Sequence, residues 1–355
     1  MKLLMYGVNK ETVMKEDTEK YFLNDEKKKH QMKDIIKFDG VEEIAILSDD
    51  FRNEYYLYVD ETIFSHGEFL RYLANNTEKS LQEIILETYS MFNEDVLRHL
   101  FEISTGYLSE PKGSFLDLRS VEKTLAFAQS INTAREIIYI MFKKAICLSY
   151  DLKLDDLIKP LNLSEINRYV YILKKHMKEL ENKNFLISGT DFEVYYLTKL
   201  LLFAGAGTVS IIHTNEMETI RQFETIEHRF NQHEISKVFP ITEKSLYYRL
   251  SKIDGAIVDT AKIDIFSERV REEVAVIRQT KKKQFLVDTN KKNKRTLEFP
   301  SHNVEYLDGT TELLYNDSEI NDAVDALESK LSVHVKQFME SLNEMLVTHE
   351  EKILK

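Results

Sequence analysis

Between residues 184 and 288, short apolar segments alternate with segments of helical periodicity, and this alternation constrains the fold more than any other feature of the chain. The apolar segments lie at 185–188, 208–212, 237–239, 255–258 and 284–287. Strands that alternate with helices form βαβ units, whose strands pair in parallel. We therefore predict a Rossmann-like, doubly wound domain over residues 156–315.

The first part of the chain, residues 1–155, has a different pattern. The predicted elements there are a strand at 2–8, a helix at 18–37, strands at 43–47 and 54–59, and helices from 65 to 150. Two glycines and a proline predict a loop at 105–113. Strands grouped ahead of helices are typical of an α+β domain. The chain is thus predicted to be a multidomain protein of the α/β and α+β classes.

The last region, residues 316–355, is predicted to be one long C-terminal helix. Its apolar residues recur every three or four positions at Ile320, Val324, Leu327, Leu331, Val335, Phe338 and Leu342. Such a seam requires a partner, which is either the protein's own domains or a second chain. A homodimer through this helix is therefore one expectation.

Composition excludes several classes of function. The formal net charge of −12 argues against broad binding to nucleic acid or to membrane surfaces. Lys199 and Gly205 interrupt the most apolar stretch, so no transmembrane helix is predicted. The single cysteine, Cys147, excludes an intrachain disulfide and indicates a cytoplasmic protein. We expect Cys147 to be a core residue, because its neighbours Ile146 and Leu148 are apolar.

The segment after the strand at 185–188 is where a dinucleotide fingerprint would place three glycines. Only Gly189 is present, whereas Asp191 and Val194 stand at the other two positions. We predict that Asp191 is a helix N-cap and that its charge repels a pyrophosphate. The next strand ends near Thr214 without an acid for a ribose or an arginine for a 2′-phosphate. The sequence therefore predicts no cofactor, with NADP bound only if this degenerate site retains affinity, and no metal.

Three segments resemble the glutamyl-tRNA reductase family. Residues 47–54, Leu-Ser-Asp-Asp-Phe-Arg-Asn-Glu, are similar to the family's L-S-T-C-N-R-x-E. Residues 7–12 resemble its G-x-N-H-K-T, and residues 98–109 resemble its H-L-x-x-V-x-S-G-L-D-S. The resemblance implies an enzyme that reduces glutamate on its tRNA at the entry to tetrapyrrole synthesis. In that enzyme, the cysteine forms a thioester with the glutamyl group.

The departures from this pattern remove the implied chemistry. Asp50 stands at the nucleophile position, and residues 112–120 lack the family's glutamate and glutamines. The matching positions that persist are Ser48, Arg52, Glu54, His99 and Ser109. Two interpretations of these five remain open: they hold the domain together by ion pairing and capping, or they retain a glutamate pocket.

We therefore predict a divergent, non-catalytic homologue with a binding or regulatory role in haem or sirohaem synthesis. Its expected partners are the active glutamyl-tRNA reductase or another tetrapyrrole-pathway protein, with possible tetrapyrrole or tRNA contacts. Within the family, a helical dimerisation domain follows the connecting helix, so residues 316–355 are predicted to be a truncated form of that region. Two alternatives are an enzyme with altered chemistry through Asp49 and Asp50, similar to precorrin-2 dehydrogenase, and an assembly module acting through its C-terminal helix.

Overall fold

The computed structural model describes residues 1–14, 17–109, 111–263, 282–290 and 304–353. The chain forms two compact units. The first comprises Met1–Leu152 together with Ile320–Lys355, and the second comprises Lys153–Glu319. The sequence-based division into three regions, with boundaries near 155 and 315, stays a prediction.

The first unit contains a four-stranded antiparallel sheet with the order β2-β3-β1-β4. Its strands are β1 (Lys2–Asn9), β2 (Val41–Ser48), β3 (Arg52–Val59) and β4 (Tyr89–Phe92). Strand β4 lies in a segment predicted to be helical, so that part of the prediction is wrong. The strand has only four residues and follows a helix directly, which leaves no glycine or proline to mark the change.

The helices of this unit are α1 (Thr18–Tyr21), α2 (Asp25–Ile35), α3 (His66–Thr77), α4 (Leu81–Glu87), α5 (Glu94–Thr105), α6 (Phe115–Ser130) and α7 (Ile137–Leu154). The single helix predicted at 18–37 is in fact two helices. The chain is extended at Phe22, and the side chain of Asn24 accepts a hydrogen bond from the Lys27 N–H to begin α2. This cap starts a new helix because it satisfies one of the amides that have no partner within the helix.

A buried carboxylate from the sheet holds the beginning of α7. Glu43, on β2, accepts hydrogen bonds from the backbone N–H groups of Arg135, Glu136, Ile137 and Ile138 at 2.9–3.1 Å. The first N–H groups of a helix have no partner within the helix, and its N-terminus carries partial positive charge. Glu43 meets both requirements, so a single side chain joins α7 to β2.

The final helix, Asp317–Ile353, belongs to the first unit from Ile320 onward. Its buried apolar residues are Ala323, Leu327, Leu331, Val335, Phe338 and Leu342. Arg98 on α5 forms an ion pair with Glu328 and donates a hydrogen bond to the Ser332 hydroxyl at 3.2 Å. The apolar seam of this helix is therefore buried in the single chain, and self-association through the helix stays a prediction.

The second unit contains a parallel sheet of six strands with the order β10-β9-β8-β5-β6-β7. Its strands are β5 (Asn184–Ile187), β6 (Thr208–Ile211), β7 (Val238–Pro240), β8 (Gly255–Val258), β9 (Gln284–Asp288) and β10 (Val304–Asp308). Its helices include a short 3-10 helix (Lys159–Leu161) and the α-helices α8 (Glu165–Met177), α9 (Asp191–Phe203), α10 (Glu216–Glu227), α11 (Gln232–Ile235) and α12 (Leu246–Lys252).

This arrangement confirms the predicted Rossmann-like fold. The chain runs outward from β5 to β7 and then returns to the other side of β5 with β8, so the order reverses between β5 and β8. In open parallel sheets, ligands bind outside the carboxyl ends of the strands at this reversal. The loop from β5 to α9 therefore lies where a dinucleotide would bind.

Candidate functional site

The turn between β2 and β3 carries the residues that stand at the predicted nucleophile position. The Asp49 carboxylate accepts hydrogen bonds from the N–H groups of Phe51 (2.8 Å) and Arg52 (3.1 Å). Asp49 thus builds the turn, because a short carboxylate side chain that binds amides two and three residues ahead replaces a backbone turn contact. Asp50 is exposed at the tip of this turn.

Four side chains meet beneath the turn in what we call the Glu54 cluster: Glu54, Tyr56, Tyr89 and His99. Glu54 is fully buried. One of its oxygens lies 2.8 Å from His99 Nε2 and accepts the Tyr89 hydroxyl at 2.7 Å, while the other accepts the Tyr56 hydroxyl at 2.6 Å. Glu54 and Tyr56 share a face of β3 because side chains alternate along a strand. The cluster thus links β3, β4 and α5.

The electrostatics of the cluster favour a charged glutamate. Burial alone would raise the pKa of Glu54, but the hydrogen bond and charge of His99, together with the charge of Arg52, hold that pKa below its ordinary value. Burial and the Glu54 charge raise the pKa values of the Tyr56 and Tyr89 hydroxyls, so both remain donors. The cluster is an anion surrounded by donors of the protein itself.

Arg52 lies beside the cluster and contacts a different carboxylate. Its Nη2 is 3.4 Å from Asp117 Oδ1 on α6, and the Ser109 hydroxyl donates a hydrogen bond to the other oxygen of Asp117. The cleft next to the turn, lined in part by Asn9, Phe51 and Arg52, has a volume of about 20 Å³. A cavity of this size holds about one water molecule.

The structure therefore brings together four of the five persisting residues, Arg52, Glu54, His99 and Ser109. Ser48 lies at the end of β2, and its hydroxyl accepts the Leu23 N–H at 3.3 Å. Tyr56, Tyr89 and Asp117 were not among the site residues predicted from the sequence. Of these, Tyr56 had a signal, because it is two residues from Glu54 on a predicted strand.

Close packing at Gly7 makes the Glu54 cluster possible, and a substitution tests this. A Cβ atom at Gly7 would lie 2.7 Å from Tyr89 Cζ and 2.9 Å from Glu54 Cγ. We expect Gly7→Ala to lower the free energy of unfolding by about 1–3 kcal/mol, the usual range for overpacking. Urea denaturation measures the effect.

Gly67→Ala is the matched control for Gly7→Ala. Gly67 lies in α3, and a Cβ atom there meets no atom within 4 Å. Alanine is favoured over glycine in a helix, so this substitution should be neutral or stabilising by up to about 1 kcal/mol. Equal effects of the two substitutions would contradict the close-packing account.

In the second unit, the chain's own side chains cap the loop from β5 to α9. The Thr190 hydroxyl accepts the Glu193 N–H at 3.3 Å, and the Glu193 carboxylate accepts the Thr190 N–H at 2.8 Å. This capping box makes Thr190 the N-cap, so the prediction of Asp191 as N-cap is wrong. Thr190 precedes Asp191 by one residue, and Glu193 follows Thr190 by three. These two residues form the reciprocal pair of hydrogen bonds, which Asp191 does not form.

The remaining residues of the predicted cofactor site have other contacts. Asp191 is the first residue of α9, and its carboxylate accepts the Gln222 amide at 3.1 Å. Gln222 also donates to the Gly189 carbonyl oxygen at 2.9 Å. Val194 is fully buried. The Thr214 hydroxyl lies 3.0 Å from His213 Nδ1 after β6.

Cys147 is exposed, so its prediction as a core residue is wrong. Its neighbours Ala145 and Leu148 are buried, which places Cys147 on the outer face of α7 in spite of its apolar surroundings in sequence. Among the described residues, no three His, Cys, Asp or Glu side chains are placed to bind a metal ion. No helix in the described ranges has the length and apolar content needed to cross a bilayer.

Comparisons with known proteins agree on one family. Residues 6–153 match the family described as "Glutamyl-tRNAGlu reductase, N-terminal domain". A glutamyl-tRNA reductase of Picosynechococcus sp. is 24% identical over 216 residues, which are 61% of this chain and 51% of that protein. A glutamyl-tRNA reductase of Trichormus variabilis is 22% identical over 269 residues, or 75% and 62% of the two chains. The chain thus spans about half to three-fifths of the length of these relatives.

A solved structure, "Glutamyl-tRNA Reductase from Methanopyrus kandleri", aligns with 99% of this chain and 82% of its own, at 18% identity and a TM-score of 0.46.

Proposed function

We propose that this chain, whose residues 6–153 match the N-terminal domain of the glutamyl-tRNA reductase family, is a non-catalytic member of that family with a binding or regulatory role in tetrapyrrole biosynthesis. The observation that carries the proposal is the capping box at the start of α9. There the Glu193 carboxylate already accepts the Thr190 N–H, which lies at the helix N-terminus where a dinucleotide pyrophosphate would bind.

Charge adds to this obstruction. Asp191 and Glu193 both lie in the first turn of α9. A carboxylate about 4 Å from a phosphate repels it by roughly 4 kcal/mol at an effective dielectric constant near 20, before salt screening. The residues of this loop therefore do not fit NADP, and we derive no hydride transfer through them.

The turn between β2 and β3 supports the same proposal. A glutamyl thioester requires a thiol, and the residue at that position is Asp50. Asp49 Oδ1 accepts hydrogen bonds from two backbone N–H groups, which favours a structural role for this carboxylate in the turn. Chemistry through these two aspartates is thus less favoured than a binding role.

The proposed role is tested with the active glutamyl-tRNA reductase of the same organism. We expect the purified chain to form a complex with that enzyme in size-exclusion chromatography and to change its rate of glutamyl-tRNA reduction at least about twofold. Serum albumin at the same concentration is the control protein. If neither a complex nor a rate change is seen at micromolar concentrations, the regulatory role through the reductase is wrong.

A further inference from the structure

We propose that Asp117 is an internal ligand of Arg52: it occupies a latent site for small carboxylates and closes that site to any external one. The inference rests on the proposed function, because it concerns the same residues as the predicted glutamate pocket. It adds an occupant to that pocket, and the occupant is part of this chain.

The Arg52 guanidinium is largely removed from water. Only 12% of its side chain is exposed. A guanidinium removed from water requires an anionic partner, since an unpaired buried charge is costly. Within the part of the chain that the structure describes, Arg52 Nε is buried without a hydrogen-bond partner. The donors of Arg52 are therefore only partly satisfied.

Three carboxylates could serve as the anionic partner of Arg52. The carboxylates whose charges favour the charged form of Arg52 belong to Glu54, Asp117 and Asp49. Glu54 is already bound by the three donors of its cluster, and Asp49 is bound by the amides of the turn. Asp117 is thus the carboxylate that makes a direct contact with the guanidinium.

The contact between Arg52 and Asp117 is longer than an ordinary ion pair. Paired guanidinium and carboxylate groups usually approach to about 2.7–2.9 Å and often form two parallel bonds. The Arg52–Asp117 contact is 3.4 Å long, and the second Asp117 oxygen accepts from Ser109 instead. A small carboxylate that is free to move could approach the guanidinium more closely than a side chain held on α6. Removal of the Asp117 carboxylate should therefore create a binding site for such an anion.

Chemical rescue tests this inference. Asp117→Ala removes the carboxylate and leaves a space of about its size beside Arg52. We expect this variant to melt several degrees below wild type, and 200 mM sodium formate to raise its melting temperature by about 3 °C relative to 200 mM sodium chloride, given a dissociation constant near 20 mM. Formate should shift the melting temperature of the wild type no more than chloride does.

Two further variants isolate the roles of space and charge. Asp117→Asn fills the same volume without the charge, so it should show no formate-specific shift. The double variant Arg52→Gln/Asp117→Ala has the space without the guanidinium and should show none either. The inference is overturned if Asp117→Ala shows no shift, or if wild type or the double variant shifts equally.

The outcome for the proposed function is independent of this test. Turnover of glutamyl-tRNA by the wild-type chain would overturn the non-catalytic proposal whatever formate does. Absence of rescue with no turnover would overturn only the role of Asp117. Where Asp117→Ala does not fold, Asp117→Gly and Asp117→Ser provide the same space, and failure of formate to restore folding in all three contradicts the inference.

Discussion

Replacing Glu54 by alanine should lower the free energy of unfolding of the first unit by about 3–5 kcal/mol, the range observed when one partner of a buried ion pair is removed. The substitution leaves the hydroxyls of Tyr56 and Tyr89 and the ring of His99 without their shared acceptor. It also removes a carboxylate that favours the charge of Arg52. Urea denaturation followed by circular dichroism measures the loss.

An exposed glutamate is the control for Glu54→Ala. Glu61 forms an ion pair with Lys2, and the two side chains are 39% and 41% exposed. Surface ion pairs contribute about 0–1 kcal/mol, so Glu61→Ala should have a small effect. Comparable losses in the two variants would show that the Glu54 cluster does not hold β3, β4 and α5 together.

The Glu54 cluster should also make the free energy of unfolding depend on pH. Because the folded pKa of Glu54 lies below its ordinary value, its charge stabilises the fold above the unfolded pKa of about 4.3. That stabilisation is lost as pH falls through the folded pKa. Between about pH 5 and pH 3, the wild type should therefore lose stability more steeply than Glu54→Gln. Parallel pH profiles would contradict this assignment.

Glu43→Ala should produce the second large loss of stability, about 2–4 kcal/mol. The substitution leaves four backbone N–H groups at the start of α7 without their acceptor. An unsatisfied buried donor costs about 1–3 kcal/mol, and water that enters the vacated space recovers part of that cost. Amide hydrogen exchange should also show faster exchange at Ile137 and Ile138, which checks the location of the damage.

Glu42 is a matched control on the same strand. It precedes Glu43 on β2, and its side chain is exposed. Glu42→Ala should change stability by less than about 0.5 kcal/mol. If Glu42→Ala and Glu43→Ala destabilise the protein equally, the loss of a charge from β2 explains the result. The hydrogen bonds between Glu43 and the start of α7 would then not account for it.

Some elements of the fold were predictable from sequence, and others were not. Strand β8 and the last three residues of β5 are continuous apolar segments, as expected for central strands that are buried on both faces. Strand β10 was not predicted, because it lies at the edge of the sheet and only Leu307 among its residues is buried. An edge strand needs no apolar run, and its pairing depends on β9 rather than on its own sequence.

Some residues of the candidate site were likewise predictable from the sequence, and others were not. Arg52 and Glu54 were identified from the motif at residues 47–54, and His99 from the motif at residues 98–109. Both motifs consist of residue types at fixed spacing. Tyr89 and Asp117 reach the site through β4 and α6, which are distant in sequence from β3. No local pattern indicates that an aspartate in the first turn of a helix contacts an arginine 65 residues earlier. Such contacts follow from tertiary packing.

A single-turnover assay tests most directly whether this chain lacks reductase activity, as we propose. Purified protein in excess over glutamyl-tRNA is mixed with NADPH, beside an active glutamyl-tRNA reductase under the same conditions. We expect glutamyl-tRNA and NADPH to remain unchanged with this chain while the active enzyme consumes both. Loss of glutamyl-tRNA with matching oxidation of NADPH, at a rate near that of the active enzyme, would contradict the proposal.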